Sequence, residues 1–222
     1  MGTTMTAAVL SDFNRLSVQQ VATPEPGFGE VVVRIRSCGF CATDFKAIKG
    51  IRRLILTEPE PDFCIKHGFV RGVQLLSEYN LSFDLCVGHT QLANTIRLVS
   101  RCPDTNFILD HIGKPNIREQ VLDPWRLEIR ELASLPNVVC KVSGMVPHDK
   151  PDWTPSDLMP YVEHVLDVFG EDRVVFGSDW PILTRASSYL RWVETLESLT
   201  TGLSQVAKRK LWADNARRFY RL

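Results

Sequence analysis

The sequence lacks an excess of charge of either sign. Its 222 residues include 26 lysines and arginines and 26 aspartates and glutamates, so the formal net charge is zero at pH 7. Because no net field attracts polyanions, neither nucleic acid nor a membrane surface is predicted as a partner.

Other features are missing as well. No stretch approaches the roughly 18 consecutive apolar residues of a membrane span, and no signal-peptide pattern opens the chain. No Gly-x-Gly-x-x-Gly motif follows a strand, and NAD is therefore not expected as a cofactor. The six cysteines are spread over a chain too long for a disulfide framework. These absences predict a cytoplasmic protein with reduced thiols.

The pattern of the chain changes at Gly50. Residues 1–50 contain short β-type runs around the turn-rich stretch TPEPGFGE, which is typical of antiparallel strands. In residues 51–222, five apolar runs alternate with segments whose apolar residues recur every three or four positions. Continuous apolar strands are typical of a parallel sheet covered by helices. We therefore predict a short β-rich segment over 1–50 and an α/β fold over 51–222.

Polar side chains follow each of the five predicted strands. In chain order these side chains are Glu58, His89, His111, Ser143 and Asp179. The carboxyl ends of the strands in a parallel barrel lie on one face, so residues about 120 positions apart can meet in one pocket. The sequence therefore predicts a functional site at this face.

Four motifs in order identify a family resemblance: NFILDHIGKP, NVVCKVSGMV, RVVFGSDWP and NARRFYRL. Residues 51–222 resemble the amidohydrolase-related (amidohydrolase 2) family, in particular its sugar-lactone hydrolases acting on fuconolactone- and rhamnonolactone-like substrates. The resemblance implies a partial (β/α)8 TIM barrel of about five βα units, corresponding to strands four to eight. It also implies a hydrolase that opens a sugar lactone by attack of an activated water.

The resemblance implies a role for particular residues. Asp179 is expected to act as general base toward water, and His111 as a metal ligand or proton partner. Together with Glu58 they are the expected ligands of one divalent metal, such as zinc. Lys141 is expected to polarise the lactone carbonyl or hold a sugar group, and Trp180 to lie beside the pocket and contact the substrate.

Each of these residues also has a structural interpretation. His111 can be a hydrogen-bonded structural histidine, and Lys141 can extend its ammonium group to solvent at the barrel rim. Asp179 can cap a following helix, and Glu58 can be an ordinary acid in a loop that contains two prolines. The sequence leaves these alternatives open.

One element of the family pattern is missing. The family carries a His-x-His pair on its first barrel strand, and this chain contains no such pair. Impaired catalysis is therefore part of the prediction. A non-catalytic remnant of a gene fusion that binds a sugar acid or forms a homo-oligomer is the alternative.

Residues 1–50 resemble the amino-terminal, chaperonin-10-like β domain of zinc-dependent medium-chain alcohol or polyol dehydrogenases. The family's catalytic zinc ligand falls on Cys41 in the CGFC stretch, but the Gly-His-Glu motif with the next ligand is absent after Ile51. A catalytic zinc needs about three protein ligands. A zinc-dependent alcohol dehydrogenase is therefore the least favoured of the three functions.

Overall fold

The computed structural model describes residues 4–10, 16–22, 50–146 and 152–222. The chain divides into two compact units, Met1–Gly50 and Ile51–Leu222. In the first unit, β1 (Thr4–Leu10) and β2 (Leu16–Ala22) pair antiparallel, as the sequence predicts. Residues 23–49, which include the rest of the predicted β-type pattern and Cys41, lie outside the described residues.

Five strands form the sheet of the second unit, and their order in space follows their order along the chain. They are β3 (Gly50–Leu54), β4 (Ser82–Cys86), β5 (Phe107–Leu109), β6 (Val138–Val142) and β7 (Val174–Phe176). The pairs β4/β5, β5/β6 and β6/β7 are parallel. An order without reversal is that of a (β/α)8 barrel and not of a doubly wound sheet. The predicted partial barrel is confirmed.

Helices lie between the strands and after the last strand, at the predicted positions. They are α1 (His67–Leu75), α2 (Leu92–Ser100), α3 (Trp125–Ala133), α4 (Pro155–Phe169), α5 (Tyr189–Leu199), α6 (Gln205–Arg209) and α7 (Asn215–Tyr220). Among the described residues, no helix combines the length and the hydropathy that crossing a membrane requires.

The main core lies between the sheet and these helices. Alternate side chains of the strands point to it, including Phe83, Phe107 and Cys140, all of which are buried. Helix residues such as Ile129 and Val165 cover them from the other side. Burial of each large apolar side chain contributes roughly 1.5–3 kcal/mol to folding.

The opposite face of the sheet is different, because it carries charge. Asp84 alternates with the core residue Phe83 on β4, and Lys141 alternates with Cys140 on β6. Asp84 and Lys141 are nevertheless buried, with exposed fractions of 0% and 7%. In a barrel this face is the interior, and the candidate site lies at its carboxyl-terminal end.

Candidate active site

Three polar side chains meet where neighbouring parallel strands end. His111 follows β5, Ser143 follows β6, and Asp179 lies three residues after β7. The His111 Nε2 atom is 3.6 Å from Asp179 Oδ1, and His111 Nδ1 is 2.9 Å from Ser143 Oγ. The site therefore contains an imidazole that is oriented by a hydroxyl on one side and faces a carboxylate on the other.

Two glycines make room for this arrangement. A Cβ atom at Gly144, where φ is +60°, would lie 2.5 Å from His111 Nδ1, closer than packing allows. A Cβ atom at Gly177 would lie 2.8 Å from the Cβ of Ser143. The glycines of the KVSG and VFGSDW stretches thus allow the ends of β5, β6 and β7 to approach each other closely.

The backbone that carries His111 is unusual. His111, Ile112 and Lys114 have φ angles of 54°, 48° and 45°, in the left-handed region that a β-branched residue such as Ile112 rarely adopts. The buried indole N–H of Trp125 donates to the Ile112 carbonyl at 2.7 Å, and His89 Nδ1 lies 3.0 Å from the Lys114 carbonyl oxygen. Such a turn persists only where its surroundings determine it. His89 therefore contacts the end of this turn.

A cluster of four charged side chains lies beside the turn. Lys141 Nζ donates to Asp110 Oδ1 at 2.6 Å and lies 4.0 Å from Asp84 Oδ2. Arg52 forms an ion pair with Asp110 and donates to Asp84 Oδ2 at 3.3 Å. Both carboxyl groups are fully buried, so the two cations stabilise charge that burial alone would disfavour.

The cluster and the histidine have perturbed proton affinities. Burial raises the pKa of Asp84 to about 7, although Lys141 opposes the shift. Burial acts on Asp110 in the same direction, but Lys141 and Arg52 outweigh it and hold the pKa of Asp110 below its ordinary value. Burial lowers the pKa of His111 to about 4, against the opposing effect of Asp110. His111 is therefore a neutral imidazole at pH 7.

The structure places the five predicted site residues in different situations. It brings His111 and Asp179 together, and the short 3-10 helix after Asp179 begins at Ile182 without a side-chain cap. Lys141 is buried in an ion pair instead of reaching solvent at the rim. Trp180 directly follows Asp179 and is 61% exposed. Glu58 forms an ion pair with Arg53.

Arg52, Asp84 and Asp110 were not predicted from the sequence as site residues. A signal for the two acids was present, because a charged residue interrupts the apolar run of SFDLCVG and another ends that of NFILD. A buried charge inside such a strand requires a partner, and Lys141 in VVCKV was the candidate cation. Arg52 carried no comparable signal, because Arg53 is next to it in IRRL and the sequence does not show which of the two arginines faces the site.

The predicted three-ligand metal site is not assembled. Within the described ranges, which include Glu58, His111 and Asp179, no three His, Cys, Asp or Glu side chains are grouped so that they could hold a metal ion. His111 and Asp179 offer two donors, whereas a catalytic zinc takes about three protein ligands. The described residues therefore do not supply the full set of ligands for a catalytic metal centre, and Glu58 is instead paired with Arg53.

Comparison with known proteins bears on most of the chain. The family model Amidohydro_2, described as Amidohydrolase, matches residues 7–222. The chain is 35% identical over 167 residues to an L-fucono-1,5-lactonase of Burkholderia multivorans, covering 69% of this chain and 56% of that protein. It also resembles a crystal structure of an amidohydrolase from Burkholderia multivorans with bound zinc, with 34% identity and a TM-score of 0.75 over 79% of this chain and 65% of that one. The chain thus spans a little over half the length of such curated relatives.

A second similarity concerns a short stretch. The chain is 47% identical over 47 residues to an alcohol dehydrogenase of Geobacillus stearothermophilus, which is 21% of this chain and 14% of that protein. This supports the second resemblance, which the sequence predicts for residues 1–50.

Proposed function

Because the chain belongs to the amidohydrolase family, we propose that it is a hydrolase that opens the cyclic ester of a sugar-derived lactone, with water as the nucleophile. The observation that carries this proposal is the contact between His111 and Asp179 at the carboxyl-terminal ends of parallel strands. The similarity to a protein named L-fucono-1,5-lactonase supports a sugar lactone as the substrate class.

Asp179 acts as the general base in this proposal. Its carboxylate accepts a proton from water while the water oxygen attacks the lactone carbonyl carbon. The tetrahedral intermediate then collapses, the ring C–O bond breaks, and the leaving oxygen takes up the proton that Asp179 received. Water and lactone are thereby converted to the open hydroxy acid, and the side chains return to their starting protonation states.

His111 orients the base and does not carry charge. We assign its neutral tautomer with the proton on Nε2, because Asp179 Oδ1 is an acceptor and the Ser143 hydroxyl can donate to Nδ1. The distance of 3.6 Å from Nε2 to Oδ1 is just beyond hydrogen-bonding length. Catalytic hydrogen bonds of this kind often shorten when substrate binds.

Two further residues contribute to substrate binding in this proposal. Lys141 places a positive charge beneath the site, which favours the negative charge that develops on the lactone carbonyl oxygen. Trp180 offers an exposed indole face next to Asp179, against which a sugar ring can pack. No step is assigned to a metal ion.

Substitution of the base tests the proposal. Asp179→Asn is the sharpest change, because asparagine tolerates the φ of +56° at this position and keeps the side-chain volume. With a panel of γ- and δ-lactones of sugar acids, acid release by the full chain should fall by at least about 100-fold in this variant. Asp104→Asn, at an exposed turn, is the matched control and should hydrolyse at the wild-type rate.

The outcomes separate the candidate functions. Equal hydrolysis by the wild type and Asp179→Asn would refute the proposed role of the base. Thermal stabilisation by a sugar acid without any product would instead support the alternative of a binding remnant without turnover. Metal analysis of the purified chain tests the predicted zinc independently of activity. The cytoplasmic location and the homo-oligomer remain predictions.

A further inference from the structure

We infer that Asp110 is a positioning residue for His111. Its carboxylate, held between Lys141 and Arg52, fixes the start of the left-handed turn that directs the imidazole toward Asp179. The inference rests on the proposed function for the catalytic purpose of His111. It extends that function to side chains that do not touch the substrate.

The contacts of Asp110 tie the end of β5 to other strands of the sheet. Asp110 is fully buried and immediately precedes His111. One carboxylate oxygen accepts a hydrogen bond from Lys141 on the adjacent strand β6 at 2.6 Å, and the other pairs with Arg52 on β3. The carboxylate is thus held from two directions, and rotation of the backbone at position 110 would break buried ion pairs.

The turn after Asp110 requires such an anchor. The residues from His111 to Lys114 all have positive φ, including Gly113 at 72°. The Trp125 indole holds the Ile112 carbonyl, and His89 lies within hydrogen-bonding distance of the Lys114 carbonyl, so the middle and end of the turn have their own contacts. Asp110 supplies the contact at its beginning. Without it, we expect the turn to relax toward ordinary backbone angles and carry the His111 ring away from Asp179.

Asp84 provides a matched comparison in the same cluster. It is also fully buried and accepts a hydrogen bond from Arg52, at 3.3 Å. It lies in the middle of β4, however, and is not adjacent to His111 in the sequence. If the site needs only buried charge, loss of either carboxylate should disturb the His111 ring equally. If Asp110 positions the ring, only the loss of Asp110 should disturb it.

The experiment compares Asp110→Asn with Asp84→Asn in the full chain. The first readout is NMR of the His111 ring nitrogens without substrate, assigned with His111→Asn. The second readout is the separation of kcat from KM for lactone hydrolysis. Asp110→Asn should shift the ring signals and lower kcat about 100-fold, with a much smaller change in KM, because misplacement of a catalytic group affects the chemical step. Asp84→Asn should keep the wild-type ring signals and kcat.

Unchanged His111 signals in Asp110→Asn, or equal shifts in both variants, would overturn the inference. If Asp110→Asn does not fold, Arg52→Gln replaces it, because Arg52 is partly exposed with 27% of its side chain accessible. This variant removes one partner of Asp110 and should shift the ring signals in the same direction. Its failure to do so also overturns the inference. A wild-type chain that hydrolyses no lactone would refute the proposed function, and the NMR comparison would still decide the positioning role.

Discussion

The site depends on the absence of a side chain at Gly144. Gly144→Ala would place a methyl group 2.5 Å from His111 Nδ1 and would also put alanine at a φ of +60°. The backbone penalty costs roughly 1–3 kcal/mol of folding free energy, and the clash displaces the imidazole as well. We expect lactone hydrolysis to fall at least about 10-fold, measured as kcat/KM under conditions where the variant is folded.

Gly170→Ala is the matched control for this prediction. Gly170 has a φ of +68°, but a Cβ atom there would meet nothing within 4 Å. Its ψ of 174° places it in a backbone region that is essentially restricted to glycine, so alanine there carries a backbone penalty without the clash, and its folded form should hydrolyse lactone at the wild-type rate. Equal loss of activity in both variants would show that the approach of Gly144 to His111 is not what the site requires.

The sequence predicted some site residues and not others for a physical reason. Asp179 and His111 belong to short sequence motifs, so they can be identified from neighbouring residues alone. The pairing of Arg52 with Asp110 joins β3 to β5 across the sheet and depends on its strand order. No local pattern in the sequence contains that information.

Helix α5 supports the segment between β7 and Asp179. The indole of Trp192 is buried on this helix, and its N–H donates to the Gly177 carbonyl at 2.9 Å, two residues before Asp179. Trp192→Phe leaves this carbonyl without its donor, which costs roughly 1–3 kcal/mol of folding free energy. We expect a lower urea midpoint together with reduced lactone hydrolysis, because the end of β7 loses its support.

Trp212→Phe is the comparison for this prediction. Trp212 packs its ring against Phe176 at a centroid distance of 4.4 Å, so phenylalanine there loses ring volume but keeps the bond from Trp192 to Gly177. Its activity should stay close to that of the wild type. A Trp192→Phe variant as active and as stable as Trp212→Phe would contradict the supporting role of α5.

The elements themselves were largely predictable, and the exceptions are informative. Apolar runs and three-to-four periodicity located all five strands and the helices between them. The apolar run at the start of NFILDHIGKP, however, forms a strand of only three residues, Phe107–Leu109, because the Asp110 side chain enters the ion pairs and the left-handed turn begins at His111. Tertiary contacts end this strand, and the spacing of apolar residues in the sequence does not predict such contacts.

The stability of the whole molecule depends on pH through Asp84 and His111, whose pKa values burial shifts in opposite directions. Asp84 has an ordinary pKa of 3.8 that burial raises to about 7, so the folded chain holds a proton that the unfolded chain has lost between these values. The free energy of unfolding therefore falls as pH rises through this range. His111 has an ordinary pKa of 6.5 that burial lowers to about 4. The unfolded chain then holds the extra proton, and the free energy of unfolding rises with pH.

Between about pH 4.5 and 6.5, Asp84 lowers and His111 raises the free energy of unfolding by ~2 kcal/mol each, so the two contributions nearly cancel in the wild type. Asp84→Asn removes the falling contribution, so the stability of this variant should increase with pH by ~2 kcal/mol relative to the wild type. His111→Asn removes the rising contribution, and its stability should decrease by a similar amount over the same interval. Urea unfolding of the three proteins at both pH values, at constant ionic strength, measures the differences. Parallel pH dependence in all three would mean that neither group titrates differently in the folded and unfolded chains, and the buried charge cluster would then need a different description.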